Sequence, residues 1–418
     1  MRNSLIKGLK SLVKKASPES YAILKLMKLS AQGSGLAFCR DENIFWHNFE
    51  IIKRDLVDLI NSGLLDDDLK ASAQLSYAGI FFQRALRLSG SHWTLGFFEV
   101  LSLLRGINKN HLSDNLSLFS YHHFQAGSKL CCLSNRHRES ELHVIRQIEQ
   151  HLEEARKQLD GMNFVERKVE LLISPIEAML AHEYAKRAPK RSEVNFDLKA
   201  YETIHKTLEK LEALPAPVKN LEVFEEITKL TKLELVNTLA LLFSTYTKRM
   251  YTQIPSDKFV ELANEAAQLI AEFAPGADMM SLDGKNSREK IAKLCFALQE
   301  STNGEASEVF AYKAIVHLGQ HPDEERYGLF THDIGIRFLR YAICAIKVGD
   351  EEKAIEALTH IAVCIHESSD QFYTFEEQVA LSSLLGEAAD ILFALHVRHD
   401  RGGGAIQAFV VGSSLQSS

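Results

Sequence analysis

Apolar residues recur every three to four positions along most of this chain, and polar residues fill the positions between them. This spacing places the apolar side chains on one face of an α-helix, so it predicts amphipathic helices. The register is clearest in residues 335–368, where a run with Leu339 and Ile343 precedes a short turn and a run with Leu358 and Ile361 follows it.

The residues of that turn predict how the two helices are joined. Gly349 suits the left-handed position that ends a helix, and Asp350 suits the cap of the next one. The small side chains of Ala342, Ala345 and Ala354 allow two antiparallel helices to approach closely. We therefore predict a helix pair here, and further pairs stacked against it along an all-α superhelix, or α-solenoid.

This pair resembles a tetratricopeptide repeat, a family in which small residues stand at fixed positions of two helices around a short turn. The residues that fit the pattern are Ala342, Gly349, Asp350, Ala354 and Leu358. Two positions depart from it: Ile361 stands where a small residue is usual, with Ala362 one place late, and His366 stands where proline is common. The resemblance covers about one repeat, and it implies a helical solenoid that binds another macromolecule.

The rest of the pattern divides the chain into four parts. We expect a basic N-terminal helix at 1–16, a helical domain at 17–214, a tetratricopeptide-like domain at 218–400 and a Gly/Ser-rich tail with a short apolar segment at 401–418. Pro215-Ala216-Pro217 is interpreted as a stiff linker between the two domains. Residues 276–286 are expected to form an exposed loop.

The segment 108–138 is the least regular, and we expect a loop packed under the flanking helices. His122-His123 and Cys131-Cys132 lie within it, with His137 and His143 nearby. Structural zinc sites use ligand pairs separated by two to four residues, which neither adjacent pair supplies. No metal site is therefore expected here.

Composition agrees with a helical protein and narrows the function classes. Hydrophobic residues make up 46% and charged residues 25% of the 418 positions, with only eight prolines, so extensive disorder is excluded. The formal charge of −7 argues against a general nucleic-acid binder. No uncharged run reaches the ~18–20 residues of a membrane span. The six scattered cysteines indicate reduced thiols in a cytoplasmic compartment.

The first sixteen residues carry five basic side chains and no acidic one, beside an apolar stripe that begins at Leu5. Such a helix can lie on an anionic membrane, dock on an acidic partner, serve as an organelle-import peptide, or pack on the protein's own body. The basic residues that would make a membrane or partner contact are Arg2, Lys7, Lys10, Lys14 and Lys15.

One dipeptide offers an enzymatic alternative. His332-Asp333, followed by Ile334-Gly335, resembles the metal-dependent HD phosphohydrolases, which are also helical. The resemblance implies His317 as the upstream ligand and Asp370 or Asp390 as the last one, with a metal-bound water as nucleophile. Ile336 stands where many members carry lysine. The competing interpretation is that Asp333 caps the helix that follows.

Two other patterns contain residue types that occur in ligand sites. Glu202 and His205 have the spacing of di-iron ligands, but a second such motif is missing from the sequence. Phe81, Phe82 and Phe97 lie in an aromatic-rich region that would suit either a core or a lipid or acyl pocket. The leading hypothesis is a non-enzymatic scaffold that binds a protein partner without a cofactor, in the cytoplasm or at a membrane surface.

Overall fold

A computed structural model of the chain describes residues 17–36, 39, 41–88, 90–134, 142–162, 166–187, 195–219, 222–248, 256–273, 282–318, 332–367 and 375–399. Within these ranges all regular secondary structure is helical, and no strand occurs. The fold is therefore all-α, as the hydrophobic spacing predicts.

Contacts within the chain divide it into two units, residues 1–234 and 235–418. The helices of the first unit are Pro18–Gly35 (α1), Glu42–Asn61 (α2), Asp67–Ala85 (α3), Gly90–Arg105 (α4), Asn115–Ser134 (α5), Leu142–Leu159 (α6), Ile173–Arg187 (α7), Phe196–Glu212 (α8) and Ala216–Lys219 (α9). Short 3₁₀ helices occupy Lys109–His111 and Glu166–Leu172. The division falls within Glu222–Lys248 (α10). The domain limits expected at residues 16, 214 and 400 stay predictions.

Polar side chains define where several of these helices begin. Asp66 accepts a hydrogen bond from the backbone N–H of Leu69 at 2.8 Å, and Asp41 accepts one from Ile44 at 2.9 Å. Each carboxylate satisfies one of the backbone donors that a helix N-terminus leaves without an intrahelical partner.

Helices of the first unit pack mainly on their sequence neighbours, with the pairs α3–α4, α5–α6 and α7–α8 in broad contact. Two cores result. One is built from α1 to α5 around Phe45, Phe49 and Phe97, and the other lies between α5, α6 and α7 around Phe119 and Ile148. Helix α5 contributes to both cores, so it is central to this unit.

The second unit continues with Ser256–Glu272 (α11), Leu282–Ser301 (α12), Gly304–Leu318 (α13), His332–Lys347 (α14), Glu351–Glu367 (α15) and Phe375–Arg398 (α16). Consecutive helices from α12 onward are in contact, and α16 contacts both α15 and α14. Packing of each helix on its predecessors is the arrangement of a helical-repeat protein.

The loop expected at 108–138 is wrong for most of its length. Residues 115–134 form α5, a helix of 20 residues. Polar residues normally mark the solvent side of a helix, but here His122, His123, Gln125 and Ser128 are all buried. Because polar residues lie on buried faces, the sequence loses the apolar periodicity that identifies the other helices.

Proline and glycine shape three further segments. The 3₁₀ helix Glu166–Leu172 leads directly into α7, and Pro175 lies in the first turn of α7, where proline is tolerated. Ala216 and Pro217 of the predicted linker form the first two residues of the short helix α9. The loop predicted at 276–286 is helical from Leu282.

Helix α16 is apolar for most of its length. Its segment Gln378–Arg398 is long and apolar enough to cross a membrane, and it is the one such helix in the described part of the chain. Core helices of soluble proteins pass the same test, and 39% of this segment is buried within the protein. Leu381, Leu384 and Ala388 belong to the core formed with α14 and α15.

Candidate functional site

The turn between α14 and α15 is closed by backbone hydrogen bonds around Gly349. This glycine has φ +82°, the left-handed conformation expected from the sequence. The N–H of Asp350 donates to the carbonyl of Ala345 at 2.8 Å, and the N–H of Gly349 donates to that of Ile346 at 3.1 Å. This pair of bonds is a Schellman motif, which satisfies the last carbonyls of α14.

Asp350 then starts α15. Its Oδ1 accepts from the backbone N–H of Lys353 at 3.4 Å, and its Oδ2 accepts from the Lys353 ammonium at 2.6 Å. These contacts hold the pKa of Asp350 below its ordinary value, chiefly through the hydrogen bond from the Lys353 side chain.

Small residues form the interface between these two helices. Ala342, Ala354 and Leu358 are fully buried in one core, and Ala345 lies in the same core. Ile361, the bulky residue at a position where tetratricopeptide repeats favour a small one, is also fully buried there. The contact therefore accommodates one large side chain beside a row of alanines.

The end of α16 is joined to the start of α15 by charged groups. Glu351 accepts hydrogen bonds from Arg398 and from His399, each at 2.5 Å. Burial would raise the pKa of Glu351, but these two partners lower it. Both His399 and Arg398 thus link the end of α16 to α15 through Glu351.

Helices α12 and α14 meet through a cationic and aromatic contact. The Arg340 guanidinium carbon lies 5.5 Å from the centre of the Phe296 ring. On α12, the Lys293 ammonium lies 2.6 Å from the Glu289 carboxylate. Burial would raise the pKa of Glu289, but Lys293, Arg337 and Arg340 lower it.

The sign of charge differs between these helices and those that follow. Helix α14 contains three basic residues and one acidic residue, and α12 contains four basic and three acidic. Helices α15 and α16 each contain one basic and four acidic residues. The first helices of two successive pairs, α12 and α14, are therefore more positive than α15 and α16.

The residues of the proposed phosphohydrolase site lie partly outside the described part. His332 and Asp333 are the first two residues of α14, so Asp333 lies within the helix rather than at its cap, and neither its side chain nor Asp370 is described. His317 is buried at the end of α13, where burial and then Arg288 and Lys313 lower its pKa. Across the described side chains, no group of three His, Cys, Asp or Glu residues could hold a metal ion.

Other predicted sites are placed as follows. The five basic residues of 1–16 lie outside the described residues. The ring of His205 packs against Tyr201 on α8, with ring centres 4.7 Å apart. Phe81 and Phe82 pack edge-on against the rings of Phe49 and Phe97, at 5.4 and 5.5 Å. The alternative of a lipid or acyl pocket at these phenylalanines stays a prediction.

Sequence reasoning missed a second cluster, between α5 and α6. His122 of α5 faces His151 of α6, with their Nδ1 atoms 3.0 Å apart, and the Lys129 ammonium lies 3.2 Å from Nε2 of His151. The spacing of seven between His122 and Lys129, which places both on one helical face, was the available signal. His151 lies on a separate helix, so its part in the cluster required the fold.

No protein-family model matches this sequence, and no curated protein matches it.

Proposed function

We propose that this chain is a protein-binding helical-repeat protein, and that the surface shared by α12 and α14 holds a segment of its partner. The supporting observation is the contact between Arg340 of α14 and the Phe296 ring of α12. In helical-repeat proteins the first helices of successive pairs line the surface that binds partners.

The charge distribution favours an acidic partner segment. Lys293, Arg337 and Arg340 lie close enough to Glu289 to lower its pKa, so several cations share this small region. Arginine forms planar, paired hydrogen bonds with carboxylates and stacks on aromatic rings, both of which suit a protein interface. The acidic α15 and α16 would repel the same segment, which favours its placement on α12 and α14.

The experiment reverses the charge of this surface. Tagged full-length protein, expressed in its own source, is recovered with any stoichiometric partner and examined by native mass spectrometry. We expect the double variant Arg337→Glu/Arg340→Glu to lose the partner while keeping its helical circular dichroism spectrum. The control is Lys206→Glu, at an exposed position of α8, and this variant should retain the partner. Equal recovery by the wild type and the double variant would contradict the proposal.

The basic segment 1–16 would add a tether to an anionic surface. We expect the full chain to co-sediment with vesicles containing anionic lipid, weakly and reversibly, and not with neutral vesicles. Replacing Arg2, Lys7, Lys10, Lys14 and Lys15 by glutamine should abolish this binding. Unchanged sedimentation of the substituted protein would remove the tether from the account.

A further inference from the structure

The histidine cluster between α5 and α6 has a defined direction of hydrogen bonding. The Lys129 ammonium contacts Nε2 of His151 and also Oε1 of Gln147, the latter at 3.0 Å. Because an ammonium offers only donors, His151 accepts at Nε2 and carries its proton on Nδ1. That proton is donated to Nδ1 of His122, so the proton of His122 lies on Nε2.

This Nε2–H of His122 has no acceptor among the described residues. His122 is 4% exposed, and its Nε2 is buried without a hydrogen-bond partner. Buried donors are almost always paired, either within the protein or with a bound molecule. The unsatisfied atom therefore indicates an acceptor that the described residues do not supply.

Three cations near the pair, Lys129, Lys109 and Arg105, form no ion pair with any described carboxylate. Glu154 interacts electrostatically with His122 and Lys109, but its carboxylate is bound by the Lys157 ammonium at 2.8 Å. The cluster thus has positive charge from Arg105 at the end of α4, from Lys109 in the 3₁₀ helix Lys109–His111 and from Lys129 on α5. Beside these charges lies the buried N–H donor of His122 on α5.

We propose that the cluster formed by His122, His151, Lys129, Lys109 and Arg105 binds a small oxyanion of the phosphate class. Phosphate oxygens are strong acceptors, and they would complete the hydrogen bonding and balance the charge of these groups. The two facing Nδ1 atoms would also suit a transition metal, but three uncompensated cations repel one and the described residues offer no third ligand.

Anion binding should be linked to proton uptake. Burial, followed by nearby cations, lowers the pKa of His122 and of His151 to about 4, and a bound anion would raise both. The other groups that face these rings from the packed elements are Arg105, Lys109, Tyr121, Lys129, Gln147 and Glu154. Since only Glu154 among them is acidic, an added anion would have the largest effect on the pKa values of His122 and His151.

The first measurement is isothermal titration calorimetry of the full-length protein with inorganic phosphate, at constant ionic strength maintained with chloride. We expect saturable binding at one site. Sulfate, whose charge does not change between pH 5.5 and 7.5, should bind more tightly at the lower pH. Phenyl phosphate distinguishes a free phosphate ion from a phosphate group on a larger ligand. Tighter binding than inorganic phosphate indicates the larger ligand, and weaker binding indicates the free ion.

Variants assign the binding to the cluster. Lys129→Gln and Lys109→Gln should each weaken phosphate binding about tenfold, the effect of losing one charge-assisted hydrogen bond. Lys206→Gln removes the same charge from an exposed position of α8, and this variant should bind phosphate as the wild type does. Both cluster variants alter side chains with some exposure, and circular dichroism checks their folding.

Histidine NMR provides a readout independent of affinity. Phosphate should shift the ring resonances of His122 and His151 and leave those of His47, exposed on α2, unchanged. Absence of saturable binding at millimolar phosphate would overturn the proposal. Binding that is unchanged in both cluster variants, or zinc binding that shifts these resonances where phosphate does not, would overturn it as well.

Discussion

Two regions of the molecule use different means to hold three helices together. Between α14, α15 and α16 the contact is made by alanines and leucines, with Ala342, Ala354 and Leu358 fully buried. Between α5, α6 and α7 buried polar groups take part, among them His122 and His123. Regular packing of small residues follows a repeating sequence pattern, whereas buried polar groups require specific partners from distant parts of the chain.

The largest effect is expected from breaking the buried ion pair of α7. Glu183 and Arg187 are bonded to each other with both side chains at most 5% exposed, and Arg187 also donates to the carbonyl of Leu133. Arg187→Met would leave the Glu183 carboxylate buried without its guanidinium, so we expect a loss of about 3–5 kcal/mol in the free energy of unfolding. Urea denaturation followed by circular dichroism measures it.

A control sits one residue away. Lys186 lies 3.9 Å from Glu183 but is 31% exposed, so Lys186→Met should cost less than about 1 kcal/mol. If the two substitutions destabilised the protein equally, the buried pair would not be the interaction that stabilises this region.

The small-residue interface should be the next most sensitive. Ala354→Trp places a large side chain where none fits between α14 and α15, and overpacking of this kind should cost about 3 kcal/mol. Val363→Trp on the exposed face of the same helix should change stability by less than about 0.5 kcal/mol. A similar stability for both variants, measured by urea denaturation, would disprove close packing at Ala354.

Acidification should destabilise the region with buried histidines. Burial lowers the pKa of both His122 and His123 to about 4 from 6.5, so the unfolded chain binds more protons between these values. The stabilising contribution is complete above pH 6.5 and is lost as the pH falls towards 4. At pH 5 the loss should be about 2 kcal/mol for each of these two residues.

The test compares urea denaturation at pH 7 and pH 5. His123 packs against Phe119 and Phe82 in the core, so His123→Phe should fold and should show about 2 kcal/mol less pH dependence than the wild type. An unchanged pH dependence in this variant would show that His123 is not buried in its neutral form.

The smallest effect concerns the turn of the α14–α15 pair. Gly349→Ala should cost about 1–2 kcal/mol, because a side chain disfavours the left-handed conformation. Gly386 lies within α16 with no atom near the position of a Cβ, so Gly386→Ala should be neutral or stabilising by up to about 1 kcal/mol. Thermal denaturation of the two variants distinguishes them, and a neutral Gly349→Ala would contradict the positive φ.

The difference between the regions also explains what could be predicted from the sequence. The end of α14 at Gly349 and the start of α15 at Asp350 depend on local backbone chemistry, so neighbouring residues suffice to predict them. Helix α5 has the sequence pattern of a loop because its polar residues are buried against other helices. The pairing of His122 with His151 depends on how α5 and α6 align, which local pattern does not specify.

The candidate binding surface was predictable in kind but not in detail. The resemblance of one helix pair to a repeat predicts a binding surface formed by the first helices of successive pairs. It does not indicate which residues of neighbouring pairs meet there. In the structure, Arg340 of α14 contacts Phe296 of α12. The sequence alone separates these residues by more than forty positions, so their charge could not be assigned to one surface.

Site-specific crosslinking tests the central claim most directly. A photoreactive amino acid is placed at Arg340 on the α12–α14 surface, or at Val363 on α15 as the control, and crosslinked peptides are identified by mass spectrometry in protein purified from its own source. The account predicts crosslinks from position 340 to an acidic segment of one partner protein, and none to that segment from position 363. Crosslinks to the partner from position 363 alone would contradict it.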